Sequence, residues 1–286
     1  MRNSTNPNNS GSAAGQCDLP NAFSGAASPR SVLVSPPRSA PATQPAPNSA
    51  AHLHGEACGM VCIQDMSFKY GAQGKALFEH LYLTIKKGAY ISIVGENGTG
   101  KSTLIKLILG LLEPNEGTIR CGAQTVGYVP QKKATVTGFP ITVFEALNSY
   151  RILRKCRDKR VVDRYLADVR LLEYKHALAG TLSGGQLQKM YIARALIGEP
   201  DLLILDEPST GIDIQSQQEI YTFIKKLNTE QGLTVVSVEH NLDAAVINST
   251  DIFHLANGCG HLCNPQKYAA EFLHFRRLPY TSDVRL

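Results

Sequence analysis

From Val61 onward, short alternating or β-branched runs give way to stretches with apolar residues three and four apart, and then return. Val61–Phe68 and Ala76–Ile85 alternate enough to be strands, and Lys86-Lys87-Gly88 then turns the chain into Ala89–Val94, a run suited to a buried strand. A glycine loop follows, and the spacing predicts an amphipathic helix over Ser102–Leu111. Gly117–Val129 reads as strand and turn. Between Pro140 and Glu199 the period is helical, with helices predicted over Val143–Leu153, Val161–Leu172 and Gln186–Ile197. Leu202–Leu205 is a solid buried strand, Gln215–Leu227 a helix and Leu233–Val238 a β-branched strand. Strands that flank a helical insert predict an α/β core with a helical subdomain.

Composition narrows the class. The 286 residues can bury a full core, and 43% of them are apolar. Spanning a bilayer takes roughly 20 apolar residues in a row. The best run, Leu104–Leu112, is about half that and carries Lys106, so the chain is not expected to cross a membrane by itself. The net charge of +5 suits an ordinary weakly basic surface and does not call for nucleic acid. Seven cysteines at irregular spacings, with no secretory pattern in residues 1–30, point to the cytosol. Met1–Ala51 is rich in Asn, Ser, Pro, Ala and Gly, with only Arg2, Asp18, Arg30 and Arg38 charged. Such a stretch reads as disordered, or as sequence upstream of a start at Met60.

Three motifs carry chemistry. Gly95-Glu96-Asn97-Gly98-Thr99-Gly100-Lys101-Ser102 matches the P-loop pattern between a strand and a helix. Its glycines let backbone N–H groups close around phosphate oxygens at a helix N-terminus. Lys101 is placed to reach the β- and γ-phosphates and Ser102 to ligate Mg²⁺, with Thr103 next in the phosphate-binding turn. Leu202-Leu203-Ile204-Leu205-Asp206-Glu207-Pro208 is a hydrophobic strand ending in two carboxylates. Asp206 is expected to hold the Mg²⁺ shell and Glu207 to orient or deprotonate water, the two diverging because side chains alternate along a strand. Leu182-Ser183-Gly184-Gly185-Gln186 offers a second glycine turn opening a helix.

That third motif resembles the signature of ABC-type ATPases, and its position shortly before Asp206 is that family's order. The resemblance spans about Val61–Leu255. It implies a P-loop NTPase of ABC type: a RecA-like α/β core, an antiparallel β subdomain and an inserted helical subdomain at about 135–198. Residues 58–286 would form the ATPase domain, after a low-complexity extension at 1–57 and before a short tail from about 265. The resemblance further implies head-to-tail pairing of two copies, in which Ser183, Gly184, Gly185 and Gln186 of one chain close on ATP held by the other. It assigns Tyr70 to stacking on adenine, Gln131 to sensing Mg²⁺ and the attacking water, Asp213 to the loop crossing the dimer interface, and His240 to the γ-phosphate. Val238-Glu239 before that histidine and Asn241 after it depart from the family's usual wording.

Gly138-Phe139-Pro140-Ile141-Thr142-Val143-Phe144-Glu145 resembles the segment with which zinc and manganese importer ATPases receive their permease, and Glu207–Asp213 is similar to their wording. So is the C-terminal turn around Asn257–Pro265. Energy-coupling cobalt and vitamin importers are the alternative, since they share Phe68-Lys69-Tyr70 and Gly95-Glu96-Asn97-Gly98. The metal-importer resemblance implies ATP and Mg²⁺ as cofactors and an integral membrane permease as partner. It implies an extracytoplasmic substrate-binding protein acting indirectly, and a place at the cytoplasmic face of the membrane. Cys259, His261 and Cys263, and likewise His52, His54, Cys58 and Cys62, lack the paired spacing of a structural zinc site and are expected to be free. A soluble ABC ATPase acting on DNA or ribosomes would usually carry paired ATPase domains, coiled coils or long basic linkers, none of which appears.

Overall fold

A computed structural model describes residues 59–71, 73–131 and 140–273. The expected extension at 1–57, the residues His52, His54 and Cys58, and Gly138 and Phe139 lie outside them. Strands β1 (Val61–Lys69), β2 (Ala76–Ile85), β3 (Tyr90–Gly95), β4 (Glu116–Cys121) and β5 (Val126–Val129) enclose helix α1 (Lys101–Ile108). Helices α2 (Val143–Leu153), α3 (Val161–Asp168) and α4 (Gly184–Leu196) follow. Then come β6 (Leu202–Asp206), α5 (Ile214–Gln231), β7 (Thr234–Val238), α6 (Leu242–Asn248), β8 (Asp251–Ala256), β9 (Cys259–Cys263) and α7 (Pro265–Tyr268).

Among the described residues the strands form an antiparallel sheet, β2-β1-β4, and a six-stranded sheet in the order β5-β6-β7-β3-β8-β9. The larger sheet is parallel except for β9. Its central strands are apolar on both faces, which is why β6 reads as an unbroken run. Alternation sends Leu202 and Ile204 to the side of α1 and the antiparallel sheet, with Ile91, Ile93, Val236 and Val238. Leu203, Leu205 and Val235 face the other way, into a core shared with α2, α3, α4 and α5. Burying each aliphatic side chain fully contributes about 1.5–3 kcal/mol. The consequence for function is geometric. The carboxyl ends of β6, β7 and β3 lie side by side, and ligands of open α/β sheets bind at that edge.

Helix α5 runs four residues past the expected Leu227 to Gln231, and four further departures from the sequence pattern have a local backbone cause. The helix expected over Ser102–Leu111 stops at Ile108, because Gly110 turns left-handed at φ 68° and the Leu111 N–H folds back to the Lys106 carbonyl. The helix expected over Val161–Leu172 likewise ends at Asp168, where Arg170 takes φ 56° and Leu171 N–H reaches Leu166 O; the apolar period continues through the turn while the helix does not. Glu207 does not belong to the strand. Its φ of 55° takes it out of β6, so it parts from Asp206 by a backbone turn and not by strand alternation. Lastly, Asn257–Pro265 is not one turn. Asn257 and Gly258, both at positive φ, make a two-residue hairpin that pairs β9 with β8.

Candidate active site

Helix α1 starts at Lys101 behind a left-handed Gly100 (φ 97°), and no side chain caps it. Its first-turn N–H groups are therefore left for an anion at the positive end of the helix. A Cβ on Gly100 would come 2.6 Å from the Phe78 ring, so that position admits glycine alone. Lys101 is buried and its ammonium donates to the Gly95 and Glu96 carbonyls, 2.8 Å each, which curls the loop around it. Burial pulls its pKa down, against the opposing pull of Glu207 and Asp206. Thr99 closes the turn by donating to Glu96 O at 2.9 Å, with Asn97 and Gly98 exposed at its tip. Tyr70 lies half-exposed in front of this loop; its hydroxyl is 3.0 Å from Thr103 Oγ1 and its ring meets Phe68 edge-on. An anchored aromatic with a free face can stack on a nucleobase.

Ser102 Oγ donates to Asp206 Oδ1 at 3.2 Å, so an alcohol and a carboxylate face the loop together. Burial raises the Asp206 pKa, Ser102 lowers it and Glu207 raises it further. An oxygen pair of this kind is neutralised by a hard divalent cation, so the residues fit Mg²⁺. Glu207 has a different environment. Burial pushes its pKa up, but hydrogen bonds from His240, Gln131 and Thr210 outweigh this and hold it below the ordinary value. His240 Nε2 is 2.6 Å from Glu207 Oε1, and Thr210 Oγ1 donates to Oε2 at 3.2 Å. The two carboxylates are thereby separated chemically, one buried beside a hydroxyl and one ionised among donors.

The other predicted residues gather elsewhere. Ser183 caps α4 through a capping box with Gln186. Asp213 caps α5 by accepting from Ser216 N–H at 2.8 Å. A Cβ on Gly185 would collide with the Ser216 side chain, and one on Gly184 would press on Gly211 O. The signature turn thus packs on the loop at 211–216, on a different stretch of the chain from the P-loop. Sequence reasoning did not single out Thr210, Gly211 or Ser216; Thr210 sits at an exposed position in a Ser-Thr-Gly turn, which does not announce its contact with Glu207. At the other edge of the sheet, Cys259, His261 and Cys263 share one face of β9 at steps of roughly 7 Å. No group of three metal-ligating side chains occurs among the described residues.

The ABC transporter family model matches residues 78–210. A probable metal transport system ATP-binding protein of Treponema pallidum is 56% identical over 217 residues, covering 76% of this chain and 91% of that protein. The high-affinity zinc uptake system ATP-binding protein ZnuC of Bacillus subtilis is 38% identical, over 63% of this chain and 84% of its own. Among solved structures, cbiO1 of Clostridium perfringens, part of an ABC transporter complex, superposes with a TM-score of 0.67 at 25% identity, over 78% of this chain and 97% of that one. An ATP-binding cassette solved as a dimer with ADP and Pi gives 0.61 at 25% identity, over 72% and 99%. With its phosphate loop, paired carboxylates and signature turn in this order, the chain belongs to the ABC transporter family, among its ATP-binding, ATP-hydrolysing subunits.

Proposed function

We propose that this ATPase drives the import of a divalent metal ion, zinc or manganese, through a separate membrane permease. The observation that carries the transport class is its 56% identity to a metal transport ATP-binding protein over nearly that protein's full length, with zinc uptake proteins next to it. The convergence of Gln131, Thr210 and His240 on Glu207 supports turnover over passive nucleotide binding.

The roles are those the resemblance implies, and the contacts described above support them. Tyr70 stacks on the adenine, while Gly95, Glu96, Asn97, Gly98, Thr99, Gly100 and Thr103 shape the phosphate cradle. Lys101 exchanges its two carbonyl partners for β- and γ-phosphate oxygens. Ser102 and Asp206 would hold Mg²⁺ and Gln131 would sense it, and the ion would supply charge neutralisation on the phosphates. Glu207, kept ionised by its donors, accepts a proton from the attacking water, and His240 fixes the carboxylate and reaches the γ-phosphate. Ser183, Gly184, Gly185, Gln186 and Asp213 lie apart from the P-loop, so they serve ATP bound to a second copy, head to tail. Among the described residues no helix is long and apolar enough to cross a membrane. Transport then falls to the permease, received beside Gln131 and the Gly138–Glu145 segment, with an extracytoplasmic binding protein delivering the ion.

Cells expressing the chain with its permease should accumulate radiolabelled zinc or manganese, and Lys101→Ala should abolish that uptake. Uptake that is unaffected by the substitution, or confined to cobalt or a vitamin, would overturn the proposal.

A further inference from the structure

Glu239 is the acidic residue between β7 and His240 that departs from the family wording, and the roles above leave it unused. It is buried, only 1% exposed. Ser237 Oγ donates to its Oε1 at 2.5 Å and Tyr221 Oη, from α5, donates to Oε2 at 2.7 Å. The Ser209 side chain, at the start of the loop that runs to Asp213, lies beside the Tyr221 hydroxyl and opposes the rise of its pKa. The backbone is tied on the same level: Glu239 N–H donates to Ile93 O and Glu207 N–H to Val238 O. A carboxyl this buried costs several kcal/mol unless its partners are exact, and it stands one residue before the histidine that holds Glu207.

We propose that Glu239 is a positioning residue for ATP hydrolysis: its clamped carboxyl fixes the backbone that carries His240 and joins it, through Tyr221, to Ser209 and the interface loop. This rests on the reading that His240 works on Glu207. The chain of contacts runs Ser237–Glu239–Tyr221–Ser209, from the strand that presents the histidine to the loop that a second copy would touch. Movement of that loop at the dimer interface is thereby felt at Glu207 without passing through the P-loop. The groups facing the carboxyl are Ser237 and the buried Tyr90 from the sheet, Tyr221 from α5, and Glu207 in the turn just after β6. Burial lifts Glu239 to about 7, with Ser237 and Tyr221 opposing that rise and Glu207 adding to it.

The test is MgATP hydrolysis by the full chain carrying Glu239→Gln, Tyr221→Phe, His240→Ala and the two double substitutions with His240→Ala. Glu239→Gln keeps the shape, and Tyr221→Phe removes one oxygen, so either fold defect would be visible independently. Each single change at 239 and 221 should lower kcat roughly 5- to 10-fold and leave KM for MgATP within about twofold. In the His240→Ala background each should cost less than about twofold, because the histidine through which it acts is gone. Equal losses in both backgrounds, or an unchanged kcat in the single variants, would overturn the proposal. An unchanged kcat in His240→Ala alone would instead overturn the role of His240, and this inference with it.

Discussion

At the scale of single residues, environment decides which acid does what. Asp206 and Glu207 are neighbours in sequence, yet burial raises one and a ring of donors lowers the other. The loop curls around the Lys101 ammonium, so Lys101→Ala should remove binding of a fluorescent ATP analogue at concentrations that saturate the parent. Glu239 carries a pH signature. The native carboxyl keeps its proton up to about 7, whereas the unfolded chain releases it near the ordinary 4.5. The native state therefore binds more protons in that window, and stability falls as pH rises through it. Glu239→Gln has no such term, so the stability gap between variant and parent should move by about 3 kcal/mol in the variant's favour from about pH 5 to about pH 8. Urea midpoints at the two values check this. The P-loop and Asp206 were legible as fixed residue types at a fixed spacing, and Ser183 and His240 through the resemblance to ABC-type ATPases. The Glu239 clamp was not, since Ser237, Tyr221 and Ser209 meet it from positions 2, 18 and 30 residues away only after folding.

At the scale of elements, the apolar period found where the helices and strands lie, and cap chemistry set where they end. Val143–Leu153 was readable from its apolar spacing alone, and the structure shows Thr142 and Glu145 forming a capping box at its start. Thr142→Ala removes the side chain that accepts from Glu145 N–H, so it should lower stability by about 1 kcal/mol in urea unfolding. Helices α1 and α3 ran short of their patterns because left-handed Gly110 and Arg170 stop the hydrogen-bond ladder while the apolar spacing persists. Strand β9 was hidden for another reason. Its residues, Cys-Gly-His-Leu-Cys, have weak strand propensity, and what makes them a strand is the Asn257-Gly258 hairpin and the free edge of β8.

At the scale of the whole molecule, the site is divided. The order β6-β7-β3 sets Asp206, His240 and the P-loop along one sheet edge, while the caps of α4 and α5 place Ser183 and Asp213 together elsewhere. The resemblance to ABC-type ATPases already implied two halves, but nothing in residue spacing could place them apart in space. On the proposed reading a second copy completes the divided site, and ATP trapped between the two should hold them together until Glu207 acts. The most direct measurement is the mass and turnover of the Glu207→Gln chain in MgATP. A stable dimer that forms with ATP and not with ADP, together with hydrolysis reduced by about 100-fold or more, is the predicted result. A monomer, or hydrolysis at the parental rate, would contradict it.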